Sequence, residues 1–498
     1  MQTILFNALA IVFSPMGLVI NTFGVVLGIL FGAMPGLNGV VGVALLLPLT
    51  YKLRPELGLM MLGGIYMGAS YGGSISAILL NCPGTGEAAC TALNGNPMAK
   101  QGKAREALSY AIIASWFGGV FGVVAMILFT PALSKMALKF GPPELFLVCI
   151  AGLAVVGSMM GKSIAKGFFS IAFGLLLSIV GMDKISCNYR FTFNNMYLQS
   201  GLSLIPISVG LFAISEMLNL LTQQKDSQLI TEPTGAFHAR YSFQEVFHRK
   251  RILLQSAIIG TIIGVLPGTG GAIASFIAYG EAKRVSKQHE LFGKGAIDGI
   301  IAPECANNAA VGGSFVPLLS LGIPGSSTSA VISGALAIQG IIPGPRLIID
   351  HANVVYSLMF GLLVSTMIML AMGIYGIKGF TKILKVKTKY IIPAVLVFSL
   401  IGAYSSRNSI FDILVTIVFG FIGLLFKRNQ IPVAPTVLGF ILGSMTEQNL
   451  RQSITIAAAK GIPIVKFIIF RPISLVVLLL IVLLFWGNIK MIRMDKGE

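Results

Sequence analysis

Proline-glycine pairs interrupt the apolar parts of this sequence at Pro35-Gly36, Pro83-Gly84, Pro267-Gly268 and Pro324-Gly325. Proline has no N–H and clashes with the helical turn before it, and glycine then admits conformations that other residues avoid. Each pair therefore reads as a break within or near a membrane segment. Irregular backbone at that depth persists only where protein buries it or water reaches it. A half-helix that follows a break points free N–H groups and a positive dipole end at it. The residues found there are small and hydroxylic: Thr85 after one break, and Ser326, Ser327, Thr328 and Ser329 after another. That set suits a carboxylate held by N–H and O–H donors, or a Na⁺ held by carbonyl and hydroxyl oxygens. It also suits a plain proline kink whose hydroxyls bond back to their own helix.

From this reading the candidate substrate donors are Asn81, Gly84, Thr85, Gly325, Ser326 and Thr328. Asn307 and Asn308 are neutral amides in apolar surroundings, suited to substrate, cation or interhelical bonding. Glu87 and Glu304 are the candidate cation-coupling carboxylates, because a charge at mid-membrane costs roughly 2.5–3.5 kcal/mol on insertion scales. Either could instead lie at the water boundary, as could Glu281 and Asp298. Pro35, Gly36, Pro83, Pro267, Gly268 and Pro324 are the structural breaks. A Cβ at Gly84 or Gly325 is expected to obstruct an approaching carboxylate, whereas Gly118 reads as an ordinary span position. The five cysteines make no CxxC pair and the four histidines none at ligand spacing, so no metal or other cofactor is expected. Gly157–Ser163 reads GSMMGKS, but Val156 stands where the first glycine of a phosphate-binding loop is required. An ion gradient, Na⁺ or H⁺, is then the expected energy source.

The scaffold for these residues follows from composition. Of 498 residues, 55% are hydrophobic and 11% charged, against about 25% charged in a soluble domain. Long continuous apolar runs such as Phe467–Trp486 exclude a β-barrel, whose strands alternate. The expectation is an all-α polytopic membrane protein with about 12 transmembrane helices of about 20 residues, some broken or re-entrant. The opening MQTILFNALAIVF has no basic n-region and reads as a retained segment. The net charge of +18 resides mostly in short connectors, where it sets topology rather than binding nucleic acid. The central loop, the lysine-rich connector from Lys378 to Lys389 and the C-terminal tail are expected on the cytoplasmic side.

The chain also repeats itself. Residues 28–39 (GILFGAMPGLNG) and 260–271 (GTIIGVLPGTGG) share GxxxGxxPGxxG, and each is followed downstream by GGS and a Pro-Gly pair. The order is the same both times, so two internal repeats are expected. The first transmembrane half spans 1–222, a polar linker 223–251, the second half 252–430, and C-terminal segments with the tail 431–498. Secondary transporters are often built this way, with substrate at the repeat interface. Glycines at 24, 28, 32 and 36, and at 260, 264 and 268, form stripes that let helix backbones approach closely.

Four stretches carry a resemblance. GAMPGLNGVVGVALLLPLTY from Gly32, YGGSISAILLNCPGTGEAACTALNGNPMAKQGKAREAL from Tyr71, GVLPGTGGAIASFIAYGEAKR from Gly264, and the segment from Phe292 through IAPECANNAAVGGS to Pro345 resemble the large membrane subunit of the tripartite tricarboxylate transporter family, the TctA type. The resemblance runs from about residue 16 to about 430. It implies a multi-pass carrier of the bacterial inner membrane that works with a periplasmic solute-binding protein and a small membrane subunit. It further implies uptake of citrate-like tricarboxylates or other small carboxylates, driven by an ion gradient that is commonly Na⁺. It implies no enzymatic activity. Where the family usually has an acidic residue before Pro-Met-Ala, this chain has Asn96, so its substrate is expected to differ from citrate. A passive anion channel would share the same polar breaks; a membrane-embedded transferase would need a DDxxD-like cluster that the sequence lacks.

Overall fold

A computed structural model describes residues 2–34, 37–159, 164–183, 185–222, 239–268, 270–376, 379–380, 388–475 and 478. The described residues are helical nearly throughout, as the composition requires. In order the main helices are α1 (Gln2–Val12), α2 (Pro15–Ala33), α3 (Gly39–Leu46), α4 (Pro55–Leu80), α5 (Ala89–Met98), α6 (Ala104–Ala137), α7 (Pro142–Met159) and α8 (Ile164–Ser178). Then come α9 (Leu204–Thr222), which contains a π-helical stretch, α10 (Ala239–His248), α11 (Lys250–Val265), α12 (Gly270–Val285), α13 (Asp298–Leu321) and α14 (Ser327–Ile338). The series closes with α15 (Ala352–Tyr375), α16 (Thr388–Arg407), α17 (Ile410–Arg428) and α18 (Ala434–Ala459). The only strands among the described residues form a small antiparallel hairpin, Gly181–Met182 with Tyr189–Arg190.

Among the described residues five helices are long and apolar enough to cross a membrane: α2, the helical stretch ending in α6, α9, α15 and α17. The helices at the centre of the molecule are different in kind. α4 and α13 are 26 and 24 residues long, and almost every residue in them is buried. They are rich in Gly and Ser, and α13 carries Asn307 and Asn308, because they face protein on every side and owe lipid nothing. The apolar side chains are displayed instead by outer helices, as with Leu128 and Phe129 of α6 or Leu414 and Phe421 of α17. The polar stretch expected to be a linker is helical from Ala239, where α10 begins, and α11 follows directly. Residues 223–238, most of the lysine-rich connector and the tail lie outside the described residues.

Glycine lets the central helices be sheathed so tightly. A Cβ at Gly28 would stand 2.8 Å from the Cα of Ile65, and one at Gly32 2.9 Å from that of Ala69, so α2 lies directly on the backbone of α4. In the second half Gly260 and Gly264 meet Ala306 and Ala310 at 2.7 and 2.8 Å, placing α11 on α13 in the same manner. Gly118 belongs to this class too, which corrects its reading as an ordinary span position. Its Cβ would meet the carbonyl oxygen of Cys305, and that of Gly122 the Cα of Ala309 at 2.8 Å, because α6 packs on α13. A second, smaller core gathers α7, α8, α17 and α18. Arg190 pairs with Glu447 and Arg451 with Asp183, each at 2.7 Å, and so pins the hairpin to α18.

Candidate functional site

The two central helices end alike. α4 is closed by Asn81 with φ 53°, and α13 by Gly322 with φ 78°; Asn and Gly are the types that adopt this left-handed conformation readily. Each Pro-Gly loop then folds back onto its own helix. The N–H of Gly84 donates to the carbonyl of Gly73 at 3.4 Å, and that of Gly325 to Ser314 at 3.3 Å. A Cβ at Gly84 would meet the carbonyl oxygen of Gly32. One at Gly325 would meet that of Gly264 and come within 2.7 Å of the Cα of Ser314. At both positions glycine is therefore required by protein backbone, and the amide already has an acceptor. The N–H of Gly268 donates to the carbonyl of Gly325 at 3.0 Å, so Pro267-Gly268 and Pro324-Gly325 touch. Pro35 and Gly36 lie outside the described residues.

Beyond the breaks the helices restart, and their starts converge. Asn38 caps α3 by accepting from the N–H of Val41 at 3.0 Å. Ser326 caps α14 in a reciprocal box with Ser329, at 3.1 and 2.9 Å. These starts leave the amides of Gly39, Val40, Ser327 and Thr328 without intrahelical acceptors. α12 begins at Gly270 with φ 62°. Together with a short 3₁₀ turn over Gly86–Ala88, the three helix ends surround a cavity of about 190 Å³. Its walls include Asn38, Tyr66, Thr85, Glu87, Gly271 and Thr328. Both halves of the chain are interleaved there. A Cβ on Gly39 would stand 3.7 Å from the Thr328 hydroxyl, and one on Gly271 3.1 Å from Oε1 of Glu87. The Tyr66 hydroxyl of α4 donates to Oγ of Ser326 at 2.9 Å.

The electrostatics of this cavity are uneven. Glu87 is the one ionisable carboxylate among the described lining residues, and no Lys, Arg or His is among them. Beside it the Ser70 hydroxyl donates to the carbonyl of Tyr66 at 3.1 Å. Behind this wall Asn307 donates from Nδ2 to the carbonyl of Ser70 at 2.9 Å. Its Oδ1, and the hydroxyl oxygen of Thr85, are buried without a hydrogen-bond partner among the described residues. A positive balance for a bound anion must therefore come from helix ends, each equivalent to about half a unit charge, and from any cation that enters with it. N–H and O–H donors in a small, partly enclosed space can hold carboxylate groups; nothing in the arrangement activates a nucleophile.

The structure gathers Thr85, Glu87, Ser326 and Thr328 around one cavity and sets Asn307 behind it. It places Asn81 in an exposed position at the end of α4 and Asn308 in the interior of α13, its side chain donating to the carbonyl of Glu304 at 3.2 Å. Glu304 is fully buried and is held by three hydroxyls of the first half. Ser74 donates at 2.5 Å, Ser115 at 2.8 Å, and Thr91 also donates. No cationic side chain pairs with Glu304 among the described residues. Sequence reasoning missed Asn38, Tyr66, Ser70 and the start of α12. Asn38 was legible as an Asn one residue ahead of a helix, while Tyr66 and Ser70 carry no signal apart from their place in a glycine-rich helix.

The model of the Tripartite tricarboxylate transporter TctA family matches residues 18–438. A 52.8 kDa protein of Agrobacterium vitis, named as uncharacterized and from the TAR-I ttuC' 3' region, is 38% identical over 445 residues. That match spans 89% of this chain and 88% of the relative. A second Agrobacterium vitis protein, from the TAR-II ttuC' 3' region, is 38% identical over 198 residues, 40% of this chain and 82% of its own length. No solved structure matches. With a predominantly helical membrane architecture and a family match across most of its length, this chain belongs to the tripartite tricarboxylate transporter TctA family.

Proposed function

We propose that this chain is the large permease subunit of a binding-protein-dependent importer and that it takes up small di- or tricarboxylates by using an ion gradient, with Na⁺ favoured over H⁺. The observation that carries this reading is the cavity between the two halves, where helix starts and hydroxyls converge and no basic side chain stands among the described lining residues. Thr85, Ser326 and Thr328, with the free amides of α3 and α14, are the proposed carboxylate donors; Glu87 and Glu304 remain the carboxylates to consider for coupling. The two halves are read as repeats of one ancestral unit, in about 12 crossings. The proposed partners are a periplasmic solute-binding protein and a small membrane subunit, and the proposed location is the bacterial inner membrane with the central loop and C-terminus cytoplasmic.

Reconstitution tests this. Proteoliposomes that hold the chain and its small subunit, with binding protein outside, accumulate a radiolabelled carboxylate when a Na⁺ or H⁺ gradient is imposed. Collapse of both gradients abolishes accumulation. Sustained accumulation with ATP alone contradicts the reading, and equilibration without accumulation under a gradient makes the chain a channel.

A further inference from the structure

Two features at and just behind the cavity wall point the same way. Asn307 is 1% exposed and its Oδ1 has no hydrogen-bond partner among the described residues. Buried amide oxygens are nearly always satisfied, so an orphan calls for an ion, a water or a ligand. The orientation of this amide is fixed, because Nδ2 is the group that can donate to the Ser70 carbonyl at 2.9 Å. Oδ1 therefore faces the start of α12, 2.5 Å from where a Cβ of Gly271 would stand, and Oε1 of Glu87 lies 3.1 Å from the same point. An amide oxygen from the second half and a carboxylate from the first thus face a common space, which a side chain at position 271 would close.

We infer that Glu87 and Oδ1 of Asn307 form the seat of a monovalent cation of the Na⁺ kind at the edge of the carboxylate cavity, occupied before the organic anion binds. The inference rests on the importer reading above and adds the ion's place to it. Oxygen ligands suit a hard cation, and a single carboxylate balances one positive charge, where divalent ions usually gather several. The order of binding follows from charge. An organic anion that enters beside Glu87 meets a like charge and no basic side chain; a seated cation removes the repulsion. Glu304 is not this seat, because three hydroxyls already occupy its oxygens.

Thermal unfolding of the purified full-length chain in detergent tests it with no organic anion present. NaCl is titrated against choline chloride at constant chloride concentration. Wild type shows a saturable rise in Tm with Na⁺, as expected for a ligand of the folded state. Glu87→Gln and Asn307→Ala each move the Na⁺ midpoint upward at least tenfold, whatever their starting Tm. Glu281→Gln, at the far end of α12 beside Arg284, stays within twofold. No Na⁺-dependent rise in wild type, or an unchanged midpoint in both variants, overturns the seat. So does a Tm rise on acidification that makes Na⁺ ineffective, which would assign a proton to Glu87. Uptake separates the two readings: Na⁺-driven uptake with wild-type Na⁺ dependence in Glu87→Gln overturns the seat and leaves the importer. Saturable Na⁺ binding that Glu87→Gln abolishes, in a chain without gradient-driven uptake, leaves the seat and overturns the importer.

Discussion

After α13 the chain turns at Gly322, passes Pro324-Gly325 and restarts as α14 with a complete cap, in which Ser326 and Ser329 satisfy each other and Tyr66 adds a third hydroxyl. After α4 it turns at Asn81 and passes Pro83-Gly84, but restarts only as a 3₁₀ turn at Gly86–Ala88 before α5. There Thr85 caps nothing with its side chain, its hydroxyl is unpartnered among the described residues, and Glu87 faces the cavity. Similar sequence signatures thus yield one finished helix end and one deliberately unfinished loop. The finished end offers preorganised donors for an anion. The unfinished one keeps oxygen atoms uncommitted, which is what a cation needs. The glycines inside both signatures do a third thing, holding backbone against backbone.

Substitutions can break this contrast in order of severity. Gly84→Val and Gly325→Val force a side chain into the carbonyls of Gly32 and Gly264, where neither neighbour can yield. The expected destabilisation is about 3 kcal/mol or more, the upper end of overpacking costs. Folded protein and uptake should fall together, and Gly118→Ala should behave similarly. Recovery of monodisperse protein by size-exclusion chromatography checks this. Full recovery of either Val variant with uptake lost would return Gly84 and Gly325 to a ligand-facing role.

Next comes Glu304→Ala, which strands the hydroxyls of Ser74, Thr91 and Ser115 in the interior. A loss of about 2–3 kcal/mol is expected from unsatisfied buried groups, visible as a lowered Tm. Ser326→Ala removes the cap of α14 and the partner of Tyr66; about 1 kcal/mol is expected, with a larger loss of uptake per folded molecule. Thr85→Val should be the mildest for stability, within about 0.5 kcal/mol, because its hydroxyl has no partner to lose. Its effect should fall on transport instead. If Thr85→Val destabilised as much as Ser326→Ala, the two loops would not differ in the way described.

Much of the fold was legible because its signals are local. Composition gave the helical membrane class, the glycine stripes of α2 and α11 reported close packing, and the Pro-Gly pairs marked where helices break. What could not be read was partnership between segments far apart in the chain. The contact of Gly84 with Gly32, the three hydroxyls around Glu304 and the approach of both Glu87 and Asn307 to Gly271 depend on how the helices stack. Asn81 looked like a ligand because it is a neutral amide in apolar surroundings, but it is exposed and its left-handed backbone ends α4. The number of crossings was hard for a related reason: α4 and α13 are sheathed by protein, so their sequences do not carry the apolar mark of lipid contact.

The central claim is that the carboxylate sits in the cavity shared by the two loops, and site-directed labelling tests it most directly. Gly86 lines that cavity, and a Cβ there meets nothing within 4 Å, so a cysteine is tolerated. In a Cys82→Ser, Cys187→Ser background the remaining native cysteines are buried. Gly86→Cys in that background, reconstituted with Na⁺, should react with a membrane-permeant maleimide. A carboxylate that the system transports should slow this reaction at least fivefold, while a neutral analogue of similar size should leave it unchanged. An unaltered labelling rate at a saturating concentration of transported carboxylate, with uptake intact, would place the substrate elsewhere and contradict the account.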